Sequence, residues 1–304
     1  MGYLFTALAV LSGAAKGYFG KKTSGLITAL SSAILFNAVR MLICVPIGLF
    51  AVFISSGSFA AEISAKQLLI FLLSGISTSV FVVIWLLVIR RGAYMLVDVF
   101  LTAGVIIPIM LCAVFFDEPV RANHAAGMVL LIISAYIMCS YNNKIREKLD
   151  VRAYALLILC GAANGLSSFS QKWFRYSSPD AGIPVFNLYT YMVSSLLLFI
   201  IWGAIRIRSG SSPRGGSVVG TKQILMLGAY VSVMSVCIFL NTLFSTAAAG
   251  ILPAAELYPL MQGGGLSVSM LMSHFLFKEK INFRCVIGVI LTFLSLLMIN
   301  LIKL

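Results

Sequence analysis

The chain has 304 residues, 61% of them apolar and 10% charged, with a formal net charge of +13 and a mean hydropathy of +1.04. A soluble domain of this length needs far more polar surface, and unbroken apolar runs such as LLIFLLSGISTSVFVVIWLLVI from Leu68 exclude the short alternating segments of a transmembrane barrel. The basic residues lie in short loops rather than in one patch interleaved with aromatics, which excludes a nucleic-acid surface and fits contact with anionic lipid headgroups.

A bilayer-crossing helix needs about 20 mostly apolar residues. In chain order the sequence predicts ten of them, at 2–20, 28–55, 67–89, 93–116, 122–141, 153–171, 184–207, 222–246, 251–276 and 282–302. The first is expected to persist, because its apolar run starts at Gly2 with no basic residue ahead of it to mark a cleavable leader. The most polar interruptions are NNKIREKLDVR from Asn142 and SGSSPRGGSVVG from Ser209. The six cysteines lack C-x-x-C spacing and read as small apolar fillers. His124 and His274 have no companion at ligand spacing, so neither a metal nor another cofactor is expected.

The interruption near Asn142 divides two similar halves, 1–145 and 150–304. LSGAAKG from Leu11 resembles LCGAANG from Leu159, Phe36-Asn37 recurs as Phe186-Asn187, and Lys66-Gln67 recurs as Lys222-Gln223. Asp98 matches Glu256, and Glu118, Gly127 and Ser134 match Glu279, Gly288 and Ser295. The separation between partners rises steadily from 148 for the leucines to 161 for Glu118 and Glu279, as small loop insertions require. Five helices per copy is an odd number, so the second copy must enter the bilayer from the opposite face. The expected fold is an all-α membrane protein of ten transmembrane helices arranged as two inverted five-helix repeats. Such proteins hold a solute near the midplane where the repeats meet, and move it by rocking one bundle against the other. Fifteen of the 22 Lys and Arg residues follow odd-numbered helices and five lie on the other face, which places both termini outside.

With these features the chain resembles the drug/metabolite transporter superfamily, and within it the EamA-like ten-helix exporters. The likeness rests on the two halves and on FDEPVRANHAAGMVLLIIS from Phe116, echoed by FKEKINFRCVIGVILTFLS from Phe277: an acidic residue closing one helix, a polar turn, and a glycine-bearing final helix. The resemblance implies a carrier in the cell membrane with a central cavity, exporting amino acids or other small metabolites. It also implies cytoplasmic termini, opposite to the charge count, so the direction of transport stays open. The related small multidrug carriers use a glutamate in their first helix; this chain has Lys16 there and Asn164 at the matching place, which disfavours a simple cation exporter.

Charged groups within apolar spans cost at least about 2.5 to 3.5 kcal/mol on insertion scales and normally face a cavity or a partner. Lys16, Arg40, Asp98 and Glu256 are therefore candidates, either pairing internally or handling solute and protons. Arg40 and Lys16 suit a carboxylate or phosphate; Asp98 and Glu256 are titratable groups able to couple proton movement to transport. Lys16 also has a plainer reading, snorkelling to the interface marked by Lys21 and Lys22. The ninth span carries Pro253, Pro259 and Gly263-Gly264-Gly265, which suggests either unwinding beside a wet cavity, with Tyr258 and Gln262 as solute contacts, or close helix packing. Asn37, Asn187, Asn241 and Trp85 are further polar or aromatic groups for a zwitterionic solute or an interhelical bond. Asp117, Glu118, Arg121 and Glu279 sit at turns and read as solvated charge or helix caps.

The first expectation is thus a secondary transporter of a small amino acid-like, zwitterionic or anionic metabolite, acting as monomer or homodimer in the lipid bilayer. A lipid-linked sugar flippase is the neighbouring alternative. An intramembrane lipid enzyme is the alternative from another class, for which the repeats supply no convergent acid, base and nucleophile.

Overall fold

The computed structural model describes residues 1–24, 29–57, 63–90, 94–139, 151–208, 221–276 and 283–301, and among these it is helical with no strand. The helices are α1 (Gly2–Ser24), α2 (Leu30–Ser56), α3 (Ala65–Arg90), α4 (Tyr94–Gly104), α5 (Ile106–Phe116), α6 (Ala122–Cys139), α7 (Val151–Ser177), α8 (Ile183–Arg208), α9 (Thr221–Ala249), α10 (Ala254–Phe275) and α11 (Phe283–Leu301). Counting α4 and α5 as one broken rod, these match the ten expected segments. Five are long and apolar enough to cross a bilayer: α2, α3, α7, α8 and α9. The other segments are shorter, interrupted or diluted by charge: α1 carries Lys16, Lys21 and Lys22, and α6 and α11 have 18 and 19 residues.

Helix ends follow local chemistry. α2 stops at Gly57, whose φ of 69° is free to glycine, and whose N–H bonds the Phe53 carbonyl. The α4–α5 break at Val105 comes four residues after Leu101 and just ahead of Pro108, whose ring lacks an N–H and collides with the carbonyl four residues back, that of Gly104. The glycine run behaves differently. α10 continues unbroken through Pro259 and Gly263 to Gly265, and Gly263 packs on Leu296 and Leu131 while Gly264 packs on Val10. Close packing, not unwinding, is the outcome there. α7 runs to Ser177 rather than ending near Gln171, because Phe174 is buried against Phe71 and Phe186 and Lys172 is neutralised within the protein.

The helices of 1–139 pack on those of 151–301 in matched pairs. α1 lies along α9 as α3 lies along α7; α2 faces α8, and α6 faces α11. α1 also meets α10 as α4 and α5 meet α7, and α3 touches α8 as α9 touches α2. The hydrogen bonds repeat this exchange. Ser134 donates to the Gly288 carbonyl at 2.6 Å, and its sequence counterpart Ser295 donates to the Gly127 carbonyl at 2.6 Å. Asn37 donates to Val82 in α3 at 3.3 Å, and Asn187 donates to Phe239 in α9 at 3.2 Å.

Glycines set the closest contact between the halves. A Cβ placed on Gly104 would overlap the Gly161 carbonyl oxygen, one on Gly161 would overlap the Phe100 carbonyl oxygen, and one on Gly165 would lie 2.6 Å from the Gly104 oxygen. Small residues at these positions let α4 and α7 touch backbone to backbone.

Several sequence matches fall outside the described residues or side chains, among them Lys222, Gln223 and Glu279. The same is true of the His274 side chain and of many of the basic residues counted for orientation.

Candidate functional site

A cavity of about 140 Å³ lies at the centre of the bundle, walled by α1, α3 and α4 from one half and α7, α9 and α10 from the other. These are matched triples under the pairing just described. Its size is on the order of that which admits a benzene-sized molecule, and below the roughly 300 to 1,000 Å³ typical of drug-sized ligand sites. A space of this size would admit a small molecule.

Six of the sequence-selected residues line it: Lys16, Trp85, Asp98, Asn164, Asn241 and Gln262. Lys16 projects from the middle of α1 and is half-buried. Its Nζ lies 5.3 Å from the Phe81 ring centroid and 5.5 Å from that of Trp85, within reach of both aromatic faces. The Trp85 ring is itself fixed by Gly20, where a Cβ would come 2.5 Å from its edge. Asp98 lines the cavity from the first turn and a half of α4 and meets the Ser269 side chain of α10. Its Oδ2 is buried without a hydrogen-bond partner among the described residues. Lys16 and Asp98 form no ion pair of the kind that joins Lys172 to Glu118, though each feels the other's charge. The cavity lining thus includes a cation and an anion, groups that can meet a solute bearing one charge of each sign.

The rest of the wall is amide and hydroxyl. Asn241 of α9 donates to the Ala9 carbonyl of α1 at 2.7 Å, Ser245 donates to Gln171 Oε1 at 2.9 Å, and Thr78 and Ser167 share a hydrogen bond at 3.1 Å. Gly265 also lines the cavity, and no atom lies within 4 Å of where its Cβ would be. Thr78, Phe81, Ser167, Ser245 and Ser269 were not singled out by sequence; nothing in a serine or threonine of an apolar helix signals that it faces a cavity.

Five selected residues lie elsewhere. Asn37 and Asn187 are fully buried between helices and bond the carbonyls named above. Tyr258 is buried in an apolar cluster and donates to the Ser168 carbonyl at 2.7 Å. Glu256 is in the first turn of α10, where its carboxylate accepts from the Tyr3 hydroxyl at 3.1 Å. Arg40 is 0% exposed on α2 and outside the cavity lining. None of its three side-chain nitrogens has a hydrogen-bond partner among the described residues. Cys44, Cys112 and Cys160 are buried free thiols, as fillers should be. Among the described residues no three His, Cys, Asp or Glu side chains gather as a metal would need.

No family model and no curated protein matches the chain. Among solved structures it is similar to one described only as "Crystal structure of protein", with a TM-score of 0.68 and 12% identity, covering 99% of this chain and 97% of that one. Likeness at that identity speaks for the fold alone.

Proposed function

We propose that the chain is an integral membrane carrier built of two inverted five-helix copies, each contributing three helices to a central solute site. It is a secondary transporter of a small amino acid-like, zwitterionic or anionic metabolite, working by alternating access in the cell membrane as an EamA-like member of the drug/metabolite transporter superfamily. The observation that carries this reading is that Lys16 and Asp98 both line one small cavity bounded by matched helices of both halves. A charged wall at the core of a bundle with five helices long and apolar enough to cross a bilayer has few uses other than holding something polar. The exchanged bonds of Ser134 with Ser295 and of Asn37 with Asn187 support duplication, and inverted duplication supplies the two alternative gatings that a carrier requires.

In this scheme Lys16 holds the anionic group of the solute, Phe81 and Trp85 flank it, and Asp98 exchanges its proton for the cationic group. Asp98→Asn is then expected to uncouple transport: tracer exchange across liposomes persists, while accumulation driven by a pH gradient is lost. Accumulation by the variant that still follows the pH gradient as the wild type does would remove Asp98 from the coupling step.

A further inference from the structure

At the end of the bundle bearing Met1, Gly57, Glu118 and Leu252, one carboxylate ties three segments together. Asp117 ends α5 with a φ of 52°, the only described non-glycine residue with positive φ. Aspartate tolerates this left-handed turn, and the turn sends Glu118 inward. Glu118 accepts from Lys172 Nζ of α7 at 2.8 Å and from the Ala254 N–H at the start of α10 at 2.6 Å. Lys172 also donates to the Leu252 carbonyl in the α9–α10 turn at 2.7 Å. Both side chains are largely buried, at 10% and 18% exposure. A partly buried carboxylate at a helix N-terminus, paired with a cation, is a strong and directional link.

The position of the link gives it a role. Gln171, the residue before Lys172, lines the cavity and bonds Ser245. Tyr258, one turn beyond Ala254, bonds the backbone of cavity residue Ser168. Val105, Ile109, Phe169, Ala248, Leu252 and Leu257 form one apolar cluster that also holds Tyr258. Glu118 belongs to the first half of the chain; Lys172, Leu252 and Ala254 belong to the second.

We infer that Glu118 and Lys172 form a latch that closes the cavity toward this end of the bundle, and that the latch must release for a solute to pass there. The inference rests on the carrier reading for its purpose, but the closure can be tested without transport. Ser167→Cys, in a chain whose native cysteines are replaced, puts a thiol on the cavity wall. In vesicles of known orientation, an impermeant thiol reagent applied from the Glu118 side should label it slowly. Glu118→Gln keeps an acceptor for Ala254 and loses the charge opposite Lys172; Lys172→Met removes the other partner. Each is expected to raise the labelling rate by about tenfold, since a charge-assisted bond holds the closed population. The double variant should add little to either single one.

Monodisperse, folded variants that label at the wild-type rate would overturn the latch. Faster labelling with no solute moved by any variant would keep the latch and reject the carrier. Solute flux with unchanged labelling in both variants would do the reverse.

Discussion

Lys16→Met is expected to lower affinity for an anionic or zwitterionic solute by about 10- to 150-fold, since a hydrogen bond to a charged group contributes about 1.5 to 3 kcal/mol. The Lys16 ammonium lies against Phe81 and Trp85 rather than in a loop, so it is held in place before the solute arrives and spends little conformational entropy on binding. Arg40→Met supplies the control. Arg40 is a charge of the same sign that does not line the cavity but acts on Lys16 through space, so its loss should change solute affinity much less than the loss of Lys16, and removal of an unpartnered buried charge should not cost stability. Thermal-shift titration of both variants with a solute panel separates the two. Equal loss of neutral and anionic solutes in Lys16→Met would mean that the lysine shapes the cavity without reading charge.

Gly161→Leu is expected to be the most damaging single substitution in the bundle, costing about 3 kcal/mol or more. Its new side chain would start inside the space of the Phe100 carbonyl, and the neighbouring Gly104 faces Gly161 in turn. Backbone meets backbone there, so no flexible side chain can give way, and α4 would have to leave α7. Because both helices wall the cavity, solute binding should fall with stability. Gly228→Ala is the matching control: no atom lies within 4 Å of its Cβ position, and replacing a helical glycine by alanine gains about 0.5 to 1 kcal/mol. Chemical or thermal unfolding in detergent measures both. A Gly161→Leu protein as stable as the wild type would show that α4 and α7 are not packed through these glycines.

The helical architecture was legible because each helix is an apolar run with polar punctuation, and length alone assigns such runs. The sequence matches Ser134 with Ser295 and Asn37 with Asn187 were legible because these residues make reciprocal contacts that restrict which residues fit. Within the site, charge and amide groups stand out against an apolar background, which marks Lys16, Asp98 and Asn241; Asn164 is marked by its match to Lys16, and Gln262 by the prolines and glycines around it. Which way such a group faces depends on helix rotation, and the sequence does not carry that. Asn37 and Asn241 look alike in sequence, yet one bonds within the α2–α3 contact and the other lines the cavity. Hydroxyls were hidden for another reason. Ser77 and Ser79 satisfy themselves on carbonyls four residues back, as serines in helices commonly do, so Thr78 between them carries no distinguishing sign. Glu118 read as a solvated turn residue because its partners, Lys172 and the start of α10, come together only in three dimensions.

The claim on which the account depends is that the central cavity holds the solute, and filling it tests that directly. Gly265→Leu adds a side chain into open space on the cavity wall without meeting another atom at its Cβ. In liposomes, wild-type protein should give saturable tracer flux of a small zwitterionic or anionic solute, and Gly265→Leu, melting at the same temperature, should give none. Equal flux through wild-type and plugged protein would contradict the account, because the solute would then be passing somewhere else.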